Sequence, residues 1–379
     1  MKVTLIANYE PARQGSMLGF ARLMERLLVH AGHEVQILRP RPLFGKISPA
    51  TSRTARKKWL GYIDQFIIFP LTLLTRITNS DIVHICDHSN AMYLPWVKRR
   101  PHLITCHDLL AIRRAHERVS QNPTTVSGRI LQDWISRNLR SAQAVVCVSE
   151  QTQREFLSIL DGHAKVLRVV YNCLPYPYKP QLAVPSQIYL ALLGLDNTSF
   201  FLSVGGNQWY KNRLGALQLF YTLSRFPEYC QHHFVMVGKP LLNDHRDYIA
   251  MNQLDERVHE LVDITNEELS ALYSRAEALL FPSLAEGFGW PPIEAQACGC
   301  PVVISDIAPL NEITARDAAI FIAPQDIRGS AEIIRSCLQK RESLIRAGFV
   351  NAARYSEETM LGKYLAIYGE AISLFETGN

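Results

Sequence analysis

The feature that most limits what this chain can fold into is an alternation. Apolar runs of about 4–8 residues alternate with stretches of helical period. KVTLIAN (2–8) is followed by an amphipathic segment, Met17 to His30. HEVQIL (33–38), DIVHI (81–85), HLITC (102–106) and AVVCVS (144–149) then read as strands. Most are apolar on both sides, as strands buried between helices are. This βα rhythm predicts an α/β fold with a doubly wound parallel sheet.

The rhythm breaks at Pro175-Tyr-Pro-Tyr-Lys-Pro180, and the break continues through Val184-Pro185-Ser186. Closely spaced prolines cannot join a sheet ladder or a helix interior, so a linker is expected here. A second βα series follows, with strands expected at 199–204, 233–238, 258–262, 277–282, 300–305 and 319–323, and the last fifty residues read as helical. The pattern predicts two Rossmann-like domains, 1–180 and 188–358, facing a cleft. Ligands of such sheets bind beyond the strands' carboxyl ends.

Composition excludes several classes. The longest apolar stretch, Phe66 to Leu74, falls short of the roughly 20 residues that span a bilayer. MKVTLIANYE turns polar too early for a signal-peptide core, so a cytoplasmic location is expected. The eight cysteines lie largely in strand-like apolar runs and read as buried, reduced thiols. Cys298-Gly-Cys300 lacks zinc or redox spacing. The net charge of +5 conceals an asymmetry: residues 1–185 hold 25 Lys and Arg against 12 Asp and Glu, and residues 186–379 hold 15 against 23. The two halves are expected to meet different partners.

The strongest motif is Phe281-Pro-Ser-Leu-Ala-Glu286-Gly-Phe-Gly-Trp-Pro-Pro-Ile-Glu294-Ala-Gln-Ala-Cys-Gly-Cys-Pro301. It reads strand, glycine loop, helix, strand. Gly287 and Gly289 allow a tight turn and close approach to a ligand, and Pro291 and Pro292 suit a helix start. The unpaired N–H groups of that first turn favour an anion. Glu294 could instead complement its own helix dipole. A second motif, Val204-Gly205-Gly206-Asn207-Gln-Trp-Tyr-Lys211-Asn212, also follows a strand and opens a helix. A lysine there is unfavourable for the dipole unless an anion is near; a solvated surface lysine is the other reading.

Glu-x7-Glu followed by ACGCPVV resembles the retaining GT-B glycosyltransferases of the "glycosyl transferases group 1" type, family GT4. The likeness covers about sixty residues, from Asn266 through Asp326. The resemblance implies sugar transfer from a nucleotide diphosphate donor. Glu286 would contact donor-sugar hydroxyls and Glu294 the ribose hydroxyls, while N–H groups around Phe288 and Gly289 would meet the sugar or diphosphate. The second motif resembles the family's G-x5-KN loop, which assigns Lys211 to the diphosphate and includes Gly206 and Asn207 in the binding loop. Many members carry an Arg five residues before this Lys; here the position is Gly206, and Arg213 is the substitute considered. The C-terminal helix, about 360–379, is expected to cross back to the first domain, as the family's does.

In the basic half, Gly15-Ser16-Met17 opens a helix after the first strand, a geometry for phosphate or sugar or an ordinary cap by Ser16. Thr105-Cys-His107-Asp108 resembles the family's HD element beside the reacting sugar, though a lone His is often structural. Asp87-His88-Ser89-Asn90 also follows a strand and could serve the acceptor. Ser149 reads as a helix cap. Between Arg39 and Arg76, Arg39, Arg41, Lys46, Arg53, Arg56, Lys57 and Lys58 precede Trp59, Tyr62 and Phe66. Such a mixture describes an anionic membrane face, with a solvated loop before a core helix as the plain alternative. Nucleic acid is not the expected partner.

No G-x-G-x-x-G, P-loop or D-x-D is present, so dehydrogenase, P-loop hydrolase and metal-bound nucleotide-sugar readings lack support, and no metal or other cofactor is expected. The expectation is a metal-independent hexosyltransferase using a GDP- or UDP-sugar, with a glycan or lipid-linked acceptor. A hydrolysing nucleotide-sugar epimerase and a non-catalytic sugar-binding partner of a glycan assembly complex are the alternatives.

Overall fold

The computed structural model describes residues 1–10, 15–44, 60–116, 124–161, 164–181 and 184–377. Lys46, Arg53, Arg56, Lys57, Lys58 and Trp59 lie outside the described residues. The chain forms two compact units: Met1–Pro175 together with Glu357–Asn379, and Tyr176–Ser356. Each is built on a six-stranded sheet whose recorded pairings are all parallel.

The sheet of the first unit comprises β1 (Lys2–Ile6), β2 (Glu34–Leu38), β3 (Ile82–Ile85), β4 (His102–Cys106), β5 (Ala144–Cys147) and β6 (Val166–Val169), in the order β2-β1-β3-β4-β5-β6. The sheet of the second comprises β7 (Phe200–Gly205), β8 (His233–Gly238), β9 (Val258–Val262), β10 (Leu279–Phe281), β11 (Val302–Ser305) and β12 (Ile320–Ile322), in the order β12-β11-β10-β7-β8-β9. The order reverses direction between β1 and β3 in one sheet and between β7 and β10 in the other. Those two places are the topological switch points, where loops diverge and leave a crevice.

Central strands are buried throughout, because helices cover both faces. In the first unit Val83, Ile85, Ile104 and Val145 pack with Phe156, and in the second Phe201, Phe234, Met236 and Val303 pack with Phe220. Each such side chain contributes about 1.5–3 kcal/mol on burial. Helix starts follow local chemistry. Ser149 Oγ accepts from Thr152 N at 3.1 Å and caps Glu150–Leu160, and Thr265 and Glu268 form a reciprocal capping box on Asn266–Arg275.

The last helix, Glu357–Thr377, belongs to the first unit. His84 on β3 explains its seat: Nδ1 lies 2.7 Å from Tyr368 Oη and Nε2 lies 2.8 Å from Thr105 Oγ1. Thr105 is in turn 3.0 Å from Tyr364 Oη, and Arg168 binds Glu370 at 2.9 Å.

Three expectations need correction. Val184-Pro185-Ser186 is not linker but the start of helix Val184–Leu192; proline is compatible with a first helical turn, where no intrahelical N–H partner is needed. The strand β6 was not anticipated. Its burial is partial because it is an edge strand. Cys230 is exposed rather than buried, and Cys337 is half-buried; all eight cysteines are free thiols.

Candidate active site

The two strongest motifs meet at the β7/β10 switch point. After β7 the chain passes Gly206, Asn207 and Gln208, makes a 3-10 turn at Trp209–Lys211, and enters helix Arg213–Leu223 through Asn212. Asn212 is left-handed, with φ of 50°, a conformation asparagine tolerates. Its Oδ1 accepts from Gly215 N at 3.3 Å and its Nδ2 donates to Pro282 O at 2.9 Å, tying this loop to the one after β10. Leu284 N donates to Tyr210 O at 2.7 Å and makes a second tie.

These ties bring Lys211 and Glu286 together across 75 residues of sequence. Lys211 Nζ donates to Glu286 Oε1 and Oε2 at 2.8 and 2.9 Å. The two side chains are 18% and 6% exposed, so the pair is largely desolvated. The ammonium also lies 5.2 Å from the Phe281 ring centre and 5.8 Å from that of Tyr210.

Gly289 has φ of 109°, and an added Cβ would sit 2.7 Å from Leu310 Cδ2. Only glycine fits there, and it caps helix Trp290–Ala297. Phe288 is buried against Trp290 and Tyr355, so its side chain serves the core and its backbone alone faces the loop's task. Glu294 is a turn inside the helix and buried. Its carboxylate accepts from Tyr273 Oη at 3.0 Å rather than from amides of its own helix start. Burial pushes the Glu294 carboxyl up to about 7, with the Tyr273 hydrogen bond and the Lys211 charge opposing.

Arg213 takes a different place. It is buried, and its Nη1 donates to Asn207 Oδ1 at 2.5 Å and to Lys239 O at 2.6 Å. Asn207 Nδ2 donates to Pro240 O at 2.6 Å. Both residues therefore brace the β7 loop against the β8 loop. Burial lowers the Arg213 pKa, with Glu260 opposing, and Nη2 has no hydrogen-bond partner. Gly206 sits beneath Gln208, whose Oε1 would be 2.5 Å from an added Cβ.

In the first unit, Gly15 opens helix Gly15–His30, so Ser16 is inside the first turn and exposed rather than at its cap. His107 follows β4, is buried, and donates from Nε2 to Cys86 O at 2.9 Å. Its ring meets Phe20 edge-on at 4.7 Å. Burial lowers its pKa, against the pull of Asp87. Sequence reasoning did not single out Tyr273, while Asn212 entered only as the last residue of the motif around Lys211, with no role of its own. Among the described residues no group of three or more His, Cys, Asp or Glu side chains could hold a metal, and no helix is long and apolar enough to cross a membrane.

Lys211 and Glu286 on glycine loops at the carboxyl ends of a parallel sheet, with Glu294 inside the helix that follows, can bind a diphosphate and polar hydroxyls together. With two such sheets, this is the GT-B architecture of nucleotide-sugar enzymes. Residues 193–354 match the model of the glycosyl transferases group 1, and residues 20–175 match that of glycosyltransferase family 4. The chain belongs to the GT4, group 1 glycosyltransferases, and is a glycosyltransferase. It is 37% identical over 322 residues to the O-antigen chain mannosyltransferase RfbU of Salmonella typhimurium, covering 83% of this chain and 82% of that one. The O-antigen chain mannosyltransferase B of Escherichia coli is 26% identical over 249 residues, covering 63% and 64%. Sucrose-phosphate synthase from Thermosynechococcus elongatus shares the fold with a TM-score of 0.76 at 18% identity, over 98% of this chain and 99% of that one. Anabaena HepE, solved with UDP and glucose, does so with 0.72 at 17%, over 98% and 100%.

Proposed function

We propose that the protein is a retaining, metal-independent mannosyltransferase that extends a glycan of the O-antigen type from GDP-mannose. A UDP-hexose is the second donor to test, since the HepE neighbour was solved with UDP. The observation that carries this reading is the Lys211–Glu286 pair beside buried Glu294, in a chain 37% identical to an O-antigen mannosyltransferase.

Lys211 would leave Glu286 for the donor diphosphate and stabilise it as leaving group, together with N–H groups from Gly289 and the following helix start. Such preorganised dipoles and charges are worth several kcal/mol in a closed site. Glu286 would then bind hydroxyls of the sugar and Glu294 those of the ribose. The carboxylates are already committed to Lys211 and Tyr273, which suits binding better than nucleophilic attack. Front-face attack by the acceptor, its proton passing to the departing phosphate, is the mechanism this arrangement favours. The glycan or lipid-linked acceptor falls to the first unit. Placement in the cytoplasm is part of the proposal, and contact with an anionic membrane through 39–76 is supported by exposed Arg41 and Arg76 and by exposed Ile67, Leu71 and Leu74.

The test is transfer from radiolabelled GDP-mannose or UDP-glucose to a cell-envelope glycolipid extract, with chelator present and absent. An α-linked product from the α-linked donor, unaffected by chelator, is expected. A β-linked product overturns retention, and loss with chelator overturns metal independence.

A further inference from the structure

The first unit holds a polar cavity of about 300 Å³ over β1 and β2, walled on one side by the end of helix Phe69–Arg76 and the turn after it. Small-molecule sites start at about this size. Lys2 and Glu34, which begin β1 and β2, both line it, so it opens at the amino end of the sheet. Ligands of a doubly wound sheet bind beyond the carboxyl ends of its strands. The cavity therefore lies at the other end from the first unit's own switch point.

The buried part of the lining is fixed by hydrogen bonds. Thr4 and Ser80 are 1% and 5% exposed, and their hydroxyls meet at 2.5 Å. Gln36 Nε2 donates to Thr4 Oγ1 at 2.7 Å and to Arg76 O at 2.9 Å. Thr75 Oγ1 donates to Thr72 O at 3.1 Å, and Thr78 Oγ1 donates to Thr75 O at 3.3 Å. Carbonyls at the end of the helix are thus covered, which blunts a dipole end that would repel an anion.

The charges of the lining do not balance. Lys2 Nζ lies 3.3 Å from Glu34 Oε2. Arg76 is exposed, and among the described residues its guanidinium meets no carboxylate and makes no hydrogen bond. One cation is left over, with the Asn79 amide and the Thr75 and Thr78 hydroxyl oxygens beside it. A guanidinium fork suits phosphate oxygens. A single net charge matches a phosphodiester, whereas the second charge of a phosphomonoester would go unmet.

The neighbouring surface supplies a second observation. Ile67, Leu71 and Leu74 are 55%, 60% and 52% exposed, and their spacing of four and three residues sets them in one stripe along the helix. Thr75, four residues after Leu71 and still within the helix, lines the cavity. An apolar stripe that runs into a polar cavity with one spare cation has the outline of an amphiphile. We propose that this cavity is a phospholipid-headgroup site, with the phosphodiester on Arg76 and the acyl chains along Ile67, Leu71 and Leu74. The inference deepens the membrane-contact reading and rests on it.

The experiment is co-sedimentation with phosphatidylglycerol vesicles for wild type, Arg41→Gln, Arg76→Gln and Arg76→Lys, with thermal midpoints to confirm folding. Loss of surface charge alone weakens binding about fivefold per arginine, the effect expected of Arg41→Gln. Arg76→Gln, which also loses the phosphate fork, should bind about twentyfold more weakly. Arg76→Lys keeps the charge and loses the fork, and should bind about fivefold more weakly. Arg76→Gln equal to Arg41→Gln, or Arg76→Lys equal to wild type, overturns the headgroup site and leaves general membrane contact standing. Wild type that ignores the vesicles overturns the membrane reading instead. Dihexanoyl-phosphatidylglycerol below its micelle concentration then still decides the site: shifts of the Thr78 and Ser80 amide resonances that vanish in Arg76→Gln support it, and no shifts overturn it. Inorganic phosphate moving the same resonances as strongly as the lipid identifies a free anion and overturns the lipid assignment.

Discussion

Lys211 and Glu286 are each other's counter-ion. The ammonium meets both carboxylate oxygens at 2.8 and 2.9 Å, and both side chains are mostly shielded from water. Removing one member strands the other, at a cost of about 3 kcal/mol when the survivor is buried. Lys211→Met should therefore lose both donor binding and thermal stability. Lys211→Met/Glu286→Gln should recover much of the stability and none of the activity. A double-mutant cycle read by denaturant melts and transfer rates separates the two effects.

Glu294 gives a pH prediction. Its folded pKa of about 7 lies above the unfolded value, so the native state binds the extra proton between roughly pH 4.5 and 7. The stabilisation is complete below that window and is lost as pH rises through 7. Glu294→Gln removes the titration and keeps an acceptor for Tyr273. It should be more stable than wild type at pH 8, by up to about 3 kcal/mol, and lose that advantage near pH 5. In wild type, nucleotide affinity should rise from pH 6 to 8 as the carboxylate forms, measured by calorimetry.

His84 works in the opposite direction. Burial, with His107 adding, depresses its pKa to about 3. The unfolded chain binds a proton near pH 6.5 that the folded unit refuses, so stability falls as pH drops below 6.5. Tyr368→Phe removes the hydroxyl that His84 Nδ1 contacts and should cost about 1–2 kcal/mol. Faster proteolytic release of the last helix would be the readout.

Gly238 tests how the β7 and β8 ends meet. An added Cβ would lie 2.0 Å from Gly205 O, and φ is 139°. Gly238→Ala should push the β7 loop out of place and lower transfer at least tenfold, about 1.4 kcal/mol or more. The loss should exceed that for Gly362→Ala, whose Cβ meets nothing within 4 Å.

Much of the fold is legible because periodicity survives without tertiary context: β4, β8 and β9 lie where their apolar runs are written. β6 escaped because half its surface is open and Arg168 interrupts it, serving Glu370 on the last helix. Helix Val184–Leu192 escaped because Pro185 reads as a breaker unless the first turn is known. Within the site, the glycine loops and Glu294 stand out locally, since their chemistry is local. The pairing of Lys211 with Glu286, and of Glu294 with Tyr273, depends on strand order, which no spacing encodes. Arg213 shows the limit most clearly. Its neighbours in sequence suggest a phosphate ligand, and its neighbours in space are Asn207 and the Lys239 carbonyl.

The last helix returning to His84 also settles how this protein can be recombined. Residues 176–356 form an uninterrupted insertion within the first unit, entered after Pro175 and left before Glu357. A chimera that exchanges the second unit should move that insertion as one cassette and retain the host's C-terminal tail. Swapping everything after Pro175 would give the host sheet a foreign helix in place of Tyr364 and Tyr368, and a hydrogen-bonded histidine without its partner.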